Sequence, residues 1–159
     1  MMHFSSLKSF SLIMLAIFIS MPSFYAEEKS TTCQFKAFDV FIDSGIEKLG
    51  AYQINATYDS KTISIVGLEG GEVDAFKNAP HHDPKGKTGG RIVIAAFTSD
   101  EKKAPKGKTR VLRIHLAVKG AAKLNLKLMT AANTQAERIQ ATVSHAAFKE
   151  TRKKEKDDE

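Results

Sequence analysis

Hydrophobic and polar residues alternate with a period of two along most of the chain, which is the pattern of β-strands that bury one face. In the segment 111–119, every second residue from Leu112 to Val118 is aliphatic, whereas Arg113 and His115 lie between them. Such a strand packs its apolar side inward and leaves the other side in water. The same pattern predicts strands over 37–43, 51–58, 63–68, 111–119, 123–129 and 138–144.

A further segment, 92–97, is apolar on both faces, which predicts a strand in the centre of a sheet. Glycine and proline residues separate the predicted strands, as expected for turns and loops. The segment 72–77 predicts a helical turn in a long loop, and the alanine-rich segment 130–137 fits either a helix or a continued strand. Many short strands with little helix predict an all-β fold, an antiparallel two-sheet β-sandwich.

The N-terminal residues 1–26 have the organisation of a signal peptide. The run Phe10–Ile19 is apolar but too short to span a bilayer, and Ala26 offers a small residue for cleavage. The alternative is an uncleaved N-terminal anchor. We expect an exported protein, periplasmic or extracellular, with one domain over 27–148 and a charged, disordered tail over 149–159.

The chain has a formal net charge of +6, and the excess lies mainly in two basic loops, 77–91 and 102–110. Because these loops flank the predicted strand 92–97, we expect them at opposite ends of the sandwich unless one of them folds back, which argues against a nucleic-acid partner. Cys33 is the single cysteine, so no internal disulfide is expected, and nothing in the sequence indicates a cofactor. No catalytic motif such as G-x-S-x-G is present, so we expect no catalytic residues and no enzyme activity.

Several blocks of the sequence follow one another in an order that resembles cohesin domains. They are a strand with a Tyr-Asp turn over 49–59, a strand with a Gly-Gly exit over 62–72, a strand over 90–97 and a long strand over 107–120. The resemblance implies a jelly-roll sandwich of the superfamily that cohesins share with cellulose- and carbohydrate-binding modules. It also implies non-catalytic attachment, to another exported protein or to a polysaccharide.

Two alternatives to a cohesin-like attachment module are left open by the sequence. One is a carbohydrate-binding module proper, and the other is a structural or assembly protein of the cell envelope. The polysaccharide-binding relatives present flat aromatic rings to sugars, whereas this chain has no tryptophan. Tyr52 and Tyr58 share the apolar face of one predicted strand, which favours packing in the core.

Arg113, His115 and Lys119 are the candidate binding residues. They lie on the polar face of one predicted strand, and the resemblance implies that ligands bind on a sheet face. The competing interpretation is an ordinary solvated outer face.

His81, His82 and Asp83 form the most metal-like cluster, because imidazole and carboxylate groups are ligands for zinc and similar ions. A metal site requires three or four converging ligands, and adjacent loop residues rarely converge. A solvated turn before Pro84 is therefore the favoured interpretation, and no metal is expected.

Overall fold

The computed structural model describes residues 32–121 and 123–148. The predicted signal peptide, 1–26, and the predicted tail, 149–159, lie outside the described residues. Among the residues described, no helix is long and apolar enough to cross a membrane. This part of the chain contains eight strands, β1 (Cys33–Asp43), β2 (Ala51–Tyr58), β3 (Ile63–Gly70), β4 (His81–His82), β5 (Arg91–Phe97), β6 (Lys108–Lys119), β7 (Leu124–Ala132) and β8 (Thr142–Ala147), and two 3₁₀ helices, Asp74–Phe76 and Pro84–Lys87.

The strands form two four-stranded sheets. The first sheet has the order β3-β6-β1-β8, and the second sheet has the order β4-β5-β2-β7. All neighbouring strands are antiparallel. The predicted fold class, an all-β antiparallel two-sheet sandwich, is confirmed.

The core lies between the sheets and consists mainly of aliphatic side chains that alternate along the strands, as the period of two predicted. β6 contributes alternating buried residues from Leu112 to Val118. A bulge breaks this alternation where β6 pairs with Val40 and Phe41 of β1, because the register skips Val111. Val111 and Leu112 are therefore consecutive, yet both are fully buried.

β5 lies beside the edge of the second sheet, and its outer neighbour β4 pairs only with Ala95 and Ile94. The 3₁₀ helix Pro84–Lys87 packs against the start of β5. A Cβ atom on Gly86 would lie 2.8 Å from the carbonyl oxygen of Arg91, so this close approach requires glycine. β5 lies between β4 and β2, so the prediction of a central strand is confirmed, although β4 covers only two of its residues.

Several strand boundaries differ from the predicted ones, most of all those of β1, β7 and β8. β1 begins at Cys33, because residues 33–36 continue the pairing with β6. β7 continues to Ala132, so the strand alternative for the alanine-rich segment was right over its first residues. β8 begins only at Thr142, and Arg138 before it forms an isolated bridge to Ala132.

The long loop after β3 folds back onto the sandwich. The helical turn predicted over 72–77 is confirmed by the 3₁₀ helix Asp74–Phe76. The carbonyl group of Lys77 lies against Gly70, and Gly70 accepts a hydrogen bond from Nη1 of Arg110 over 3.1 Å. The first basic loop therefore folds back at Lys77, the alternative that the sequence left open, and Lys77 lies near Arg110 at the end of the second loop.

Tyr52 and Tyr58 are buried in the core, as predicted. Oη of Tyr52 donates to the carbonyl oxygen of Val111 over 3.3 Å, and Oη of Tyr58 donates to that of Gly86. The Tyr52 ring also meets the buried Phe76 ring edge-on, with 5.3 Å between centroids. Both phenols therefore pack in the sandwich and are withdrawn from any binding surface.

We expect alkaline pH to destabilise the fold through Tyr52. Burial raises the pKa of its hydroxyl group above the ordinary value of 10. The fold thus favours the protonated phenol, so this stabilisation is complete below the ordinary pKa and is lost as the pH rises above it. Urea denaturation at about pH 8 and about pH 11 measures the loss, and the Tyr52→Phe variant, which has no phenol there, should lose less. Equal losses in both proteins would contradict this expectation.

Candidate functional site

The outer face of the first sheet carries an ion-pair cluster centred on Arg113. Its Nε donates to Oδ1 of Asp39 over 2.7 Å and its Nη2 donates to Oδ2 over 3.2 Å, so the contact is bidentate. Asp39 on β1 and Glu69 on β3 lie opposite Arg113 on either side, and Oε2 of Glu69 is 3.7 Å from Nη1. The hydrogen bond to Asp39 raises the pKa of Arg113. The cluster therefore ties three strands together through one permanently charged group.

Phe148 covers one face of the same guanidinium group. Cζ of Arg113 lies 3.6 Å from the centroid of the phenyl ring, a cation–π contact. The amide of Phe148 donates to the carbonyl oxygen of Ala37 over 2.8 Å, just beyond the end of β8. The side chains of Arg113 and Asp39 are only 18% and 16% exposed. Arg113 thus positions Phe148 and offers little free charge to a ligand.

His115 lies next to this cluster and borders a groove. Its Nε2 is 3.0 Å from Oε1 of Glu69. Its neighbours across the sheet are Ala37 on β1 and Gly67 on β3, which are too small to fill the space beside the imidazole ring. The groove has a volume of about 680 Å³ and is lined by Phe35, Lys36, Ala37, Phe38, Val66, Gly67, His115, Leu116, Ala147 and Phe148.

Three large apolar side chains at the groove are exposed to solvent. Phe35 is 79% exposed, Val66 is 50% exposed and Phe148 is 39% exposed. Val66 is the extra residue of a bulge in β3, where the pairing with β6 passes from Ile65 to Gly67. Apolar groups that cluster around a groove mark binding surfaces, whereas apolar groups scattered singly over a surface do not.

Lys119, the third predicted binding residue, is not part of this groove. It lies four residues beyond His115 along β6, which is a separation of about 13 Å. It pairs with Cys33 at the start of β1, and both residues line a smaller pocket together with the turn 60–64. The Cys33 thiol is free and exposed. The structure therefore brings two of the three candidates together and separates the third.

His81, His82 and Asp83 do not converge on a common point. The two histidines are consecutive residues of β4, so their side chains leave opposite faces of the strand. Nδ1 of His82 lies 3.2 Å from the carbonyl oxygen of Pro80, and Oδ1 of Asp83 accepts a hydrogen bond from the amide of Lys85. Over 32–121 and 123–148, no three histidine, cysteine, aspartate or glutamate side chains lie close enough together to hold a metal ion.

The outer face of the second sheet is more polar. β2 places Gln53, Asn55 and Thr57 on it, and Nε of Arg91 donates to Oδ1 of Asn55 over 3.0 Å. Phe97, at the end of β5, is exposed. The two faces thus differ in chemistry, and the larger groove with its clustered apolar side chains lies on the first sheet.

Sequence reasoning missed the apolar part of the groove. Phe35 lies two residues before Ala37 in the same alternation, so a longer predicted strand places it on the outer face. Phe148 reaches the face because β8 begins and ends later than predicted. Nothing in the sequence indicates that Val66 is exposed at the groove, because its exposure comes from a bulge that the pairing with β6 creates.

No protein-family model matches the chain, and no curated protein matches its sequence. Solved structures of cohesins are nevertheless similar. The cohesin of a Clostridium thermocellum OlpC–Doc435 cohesin–dockerin complex superimposes with a TM-score of 0.56 at 12% identity, over 72% of this chain and 85% of that chain. The cohesin of the OlpA–Doc918 complex from the same organism gives 0.52 at 12% identity, over 67% and 82%.

A non-cellulosomal cohesin from the archaeon Archaeoglobus fulgidus gives a TM-score of 0.51 at 12% identity, over 69% of this chain and 75% of that chain. Identities this low establish the fold alone. The chain therefore has a cohesin-like β-sandwich fold, as the order of its sequence blocks predicted.

Proposed function

We propose that this protein is an exported, non-catalytic module that binds another protein through the outer face of its first sheet. The observation that carries the proposal is the groove beside His115, where Phe35, Val66 and Phe148 present apolar surface to solvent. Two of the similar structures are cohesin–dockerin complexes, which supports a protein as the partner of this chain.

The groove combines features that protein interfaces use. Aromatic and arginine side chains supply much of the binding energy at such interfaces, and here Phe148 and Arg113 are already stacked on each other. Asp39 and Glu69 hold Arg113 in place, so its ordering costs no further entropy when a partner binds. His115 adds a polar group to the wall of the groove. Such a group can make binding specific by fixing the orientation of the ligand.

The space beside His115 suits an apolar side chain of the partner. Ala37 and Gly67 leave this space open, and Val66 borders it. Complete burial of one large apolar side chain contributes roughly 1.5–3 kcal/mol, and only what exceeds the cost of association appears as affinity, so several such contacts are needed.

Export is part of the proposal. Residues 1–26 act as a signal peptide, and the mature chain consists of the domain over 27–148 and the charged tail over 149–159. The partner is then another exported protein. Attachment to a polysaccharide is the competing function, and the variants below distinguish it.

The Val66→Arg variant is expected to lose its partner. Arginine at this exposed position places a bulky charge at the mouth of the groove, where an apolar contact is expected. The measurement is capture of proteins from the exported fraction of the source organism by the tagged mature protein, followed by the affinity of the captured partner. We expect the affinity to fall at least about tenfold.

The Gln53→Arg variant is the matched control, because Gln53 is exposed on the outer face of the second sheet. It should bind the partner as the wild type does. Loss of binding in Gln53→Arg but not in Val66→Arg would move the interface to the second sheet and overturn the proposed site. Face-dependent binding to insoluble or arrayed polysaccharides, with no captured protein, would replace the proposed function by carbohydrate attachment.

A further inference from the structure

Among the described residues, β8 covers only part of one edge of β1. β8 pairs with β1 only over Phe38–Asp43, and the amide of Phe148 adds one last bond to Ala37. β1 itself continues to Cys33. Within the described ranges, residues 33–36 therefore have a paired strand, β6, on one side only.

Phe35 presents its backbone groups to this open edge. Successive residues of a strand point their amide and carbonyl groups to alternate sides. Because the carbonyl of Ala37 accepts from Phe148 on the β8 side, the amide and carbonyl of Phe35, two residues earlier, point to the same side. Unpaired backbone groups at the edge of a sheet are a template for another strand.

The side chains around this edge specify what such a strand must carry. The phenyl ring of Phe35 is exposed, and its neighbours on the outer face are Ala117, Ala37 and Phe148, which favours an apolar residue opposite it. Lys36 is exposed, lies at the same groove and forms no ion pair with another described residue. An acidic residue in the adjacent position of the added strand complements its charge.

We propose that an extended segment of the partner, with alternating apolar and acidic residues, adds to this edge as an antiparallel strand beside Phe35. This inference rests on the function proposed for the groove and names the class of ligand that enters it. Backbone hydrogen bonds to Phe35 supply affinity, and the contacts with Phe35, Phe148 and Lys36 supply specificity.

The pattern that suits this edge is a carboxylate opposite Lys36 and an apolar residue opposite Phe35, because a like charge opposite Lys36 would destabilise the strand pair. The sequence of 149–159 contains no apolar residue and so does not have this pattern. A separate partner is therefore the proposed source of the segment.

The test uses the full mature protein and synthetic hexapeptides with blocked ends in which valine and glutamate alternate. Two N-methylated forms of the peptide, one methylated at the valines and one at the glutamates, each remove one set of backbone donors and leave the other set intact. NMR titration gives the affinities, and hydrogen exchange follows the Phe35 amide in the free and bound protein.

Strand addition predicts that the two N-methylated peptides differ, with the form methylated at the residues opposite Phe35 binding about tenfold more weakly. It also predicts that exchange of the Phe35 amide slows in the complex. The Phe35→Pro variant should bind more weakly than Phe35→Ala, since proline removes the amide donor as well as the ring. The Lys36→Glu variant should exchange the preference for glutamate for a preference for lysine in the peptide.

Equal binding of both methylated peptides, or an unchanged exchange rate at Phe35, would overturn the inference. A Phe35 amide that is already protected in the free protein would overturn it as well, because the edge would then be occupied. If Val66→Arg abolishes capture of the partner while Phe35→Pro behaves like Phe35→Ala, strand addition is wrong but the proposed function stands. If the peptide adds as predicted and no partner depends on Val66, the proposed function fails by itself.

Discussion

Replacement of Ile114 by alanine is expected to lower the free energy of unfolding by about 3 kcal/mol. Ile114 has no exposed surface and lies in the middle of β6, the strand that joins β1 and β3. It is directly opposite Phe38 on one neighbour and Leu68 on the other, so the cavity left by its truncation is walled by paired strands that cannot close in. Urea denaturation at neutral pH measures the effect.

Ile46 supplies a control of the same residue type. Its side chain is 84% exposed, so the Ile46→Ala variant removes the same atoms without creating a cavity. The change in stability should stay within about 0.5 kcal/mol of the wild type. A similar loss of stability in both variants would contradict the position of Ile114 at the centre of the core and the packing of the two sheets described above.

The Asp39→Ala variant is expected to lose about 2 kcal/mol of stability. Asp39 holds the guanidinium group of Arg113 with two hydrogen bonds in a largely desolvated position, and Nε of Arg110 is 3.8 Å away. Its removal leaves Arg113 with Glu69 as its remaining acidic neighbour, at 3.7 Å. Breaking one side of a desolvated pair costs more than a surface pair ever contributes.

The variant should also weaken partner binding, because Arg113 supports the ring of Phe148 at the groove. Glu101→Ala is the control for stability, since Glu101 forms an exposed ion pair with Lys48 and its loss should cost less than about 1 kcal/mol. Denaturation curves of both variants decide the point. An Asp39→Ala protein as stable as Glu101→Ala would show that the cluster is loosely held and does not order the face.

The alternation of residue types predicted the two layers and the direction of most side chains. It succeeded along β2 and β6, because each of these strands is paired on both sides and has one face against the core. It placed Arg113 and His115 correctly on an outer face for the same reason. The period of the hydrophobic residues indicates which face of a strand is buried, and it indicates nothing more.

The alternation of residue types does not predict how the strands pair. Asp39 and Glu69 meet Arg113 because of register, which depends on bulges at Val111 and Val66. A bulge changes register by one residue without changing composition, so no local signal marks it. The groove depends on these pairings, and for that reason His115 could be predicted from the sequence as a candidate, whereas the apolar residues of the groove could not.

The ends of the strands also depend on the neighbouring segments with which they pair. β8 starts at Thr142 because the preceding segment bridges to β7, and it is this late start that carries Phe148 to the groove. Likewise, the edge of β5 is covered by Pro84–Lys87, a segment that reads as a simple loop in the sequence. Whether a segment covers the edge of a sheet depends on the three-dimensional arrangement and not on the secondary-structure propensity of its residues.

The topology has a consequence for the order in which the chain acquires structure. Among the eight described strands, every pair of neighbours except the short β4 with β5 joins segments that are not consecutive in the chain, and β1 pairs with β6 and β8. The first strand to be synthesised therefore waits for some of the last before its sheet is complete. Chains with such non-local pairings fold slowly, in milliseconds to seconds, so β1 stays without its neighbours in the sheet until β6 and β8 have been synthesised.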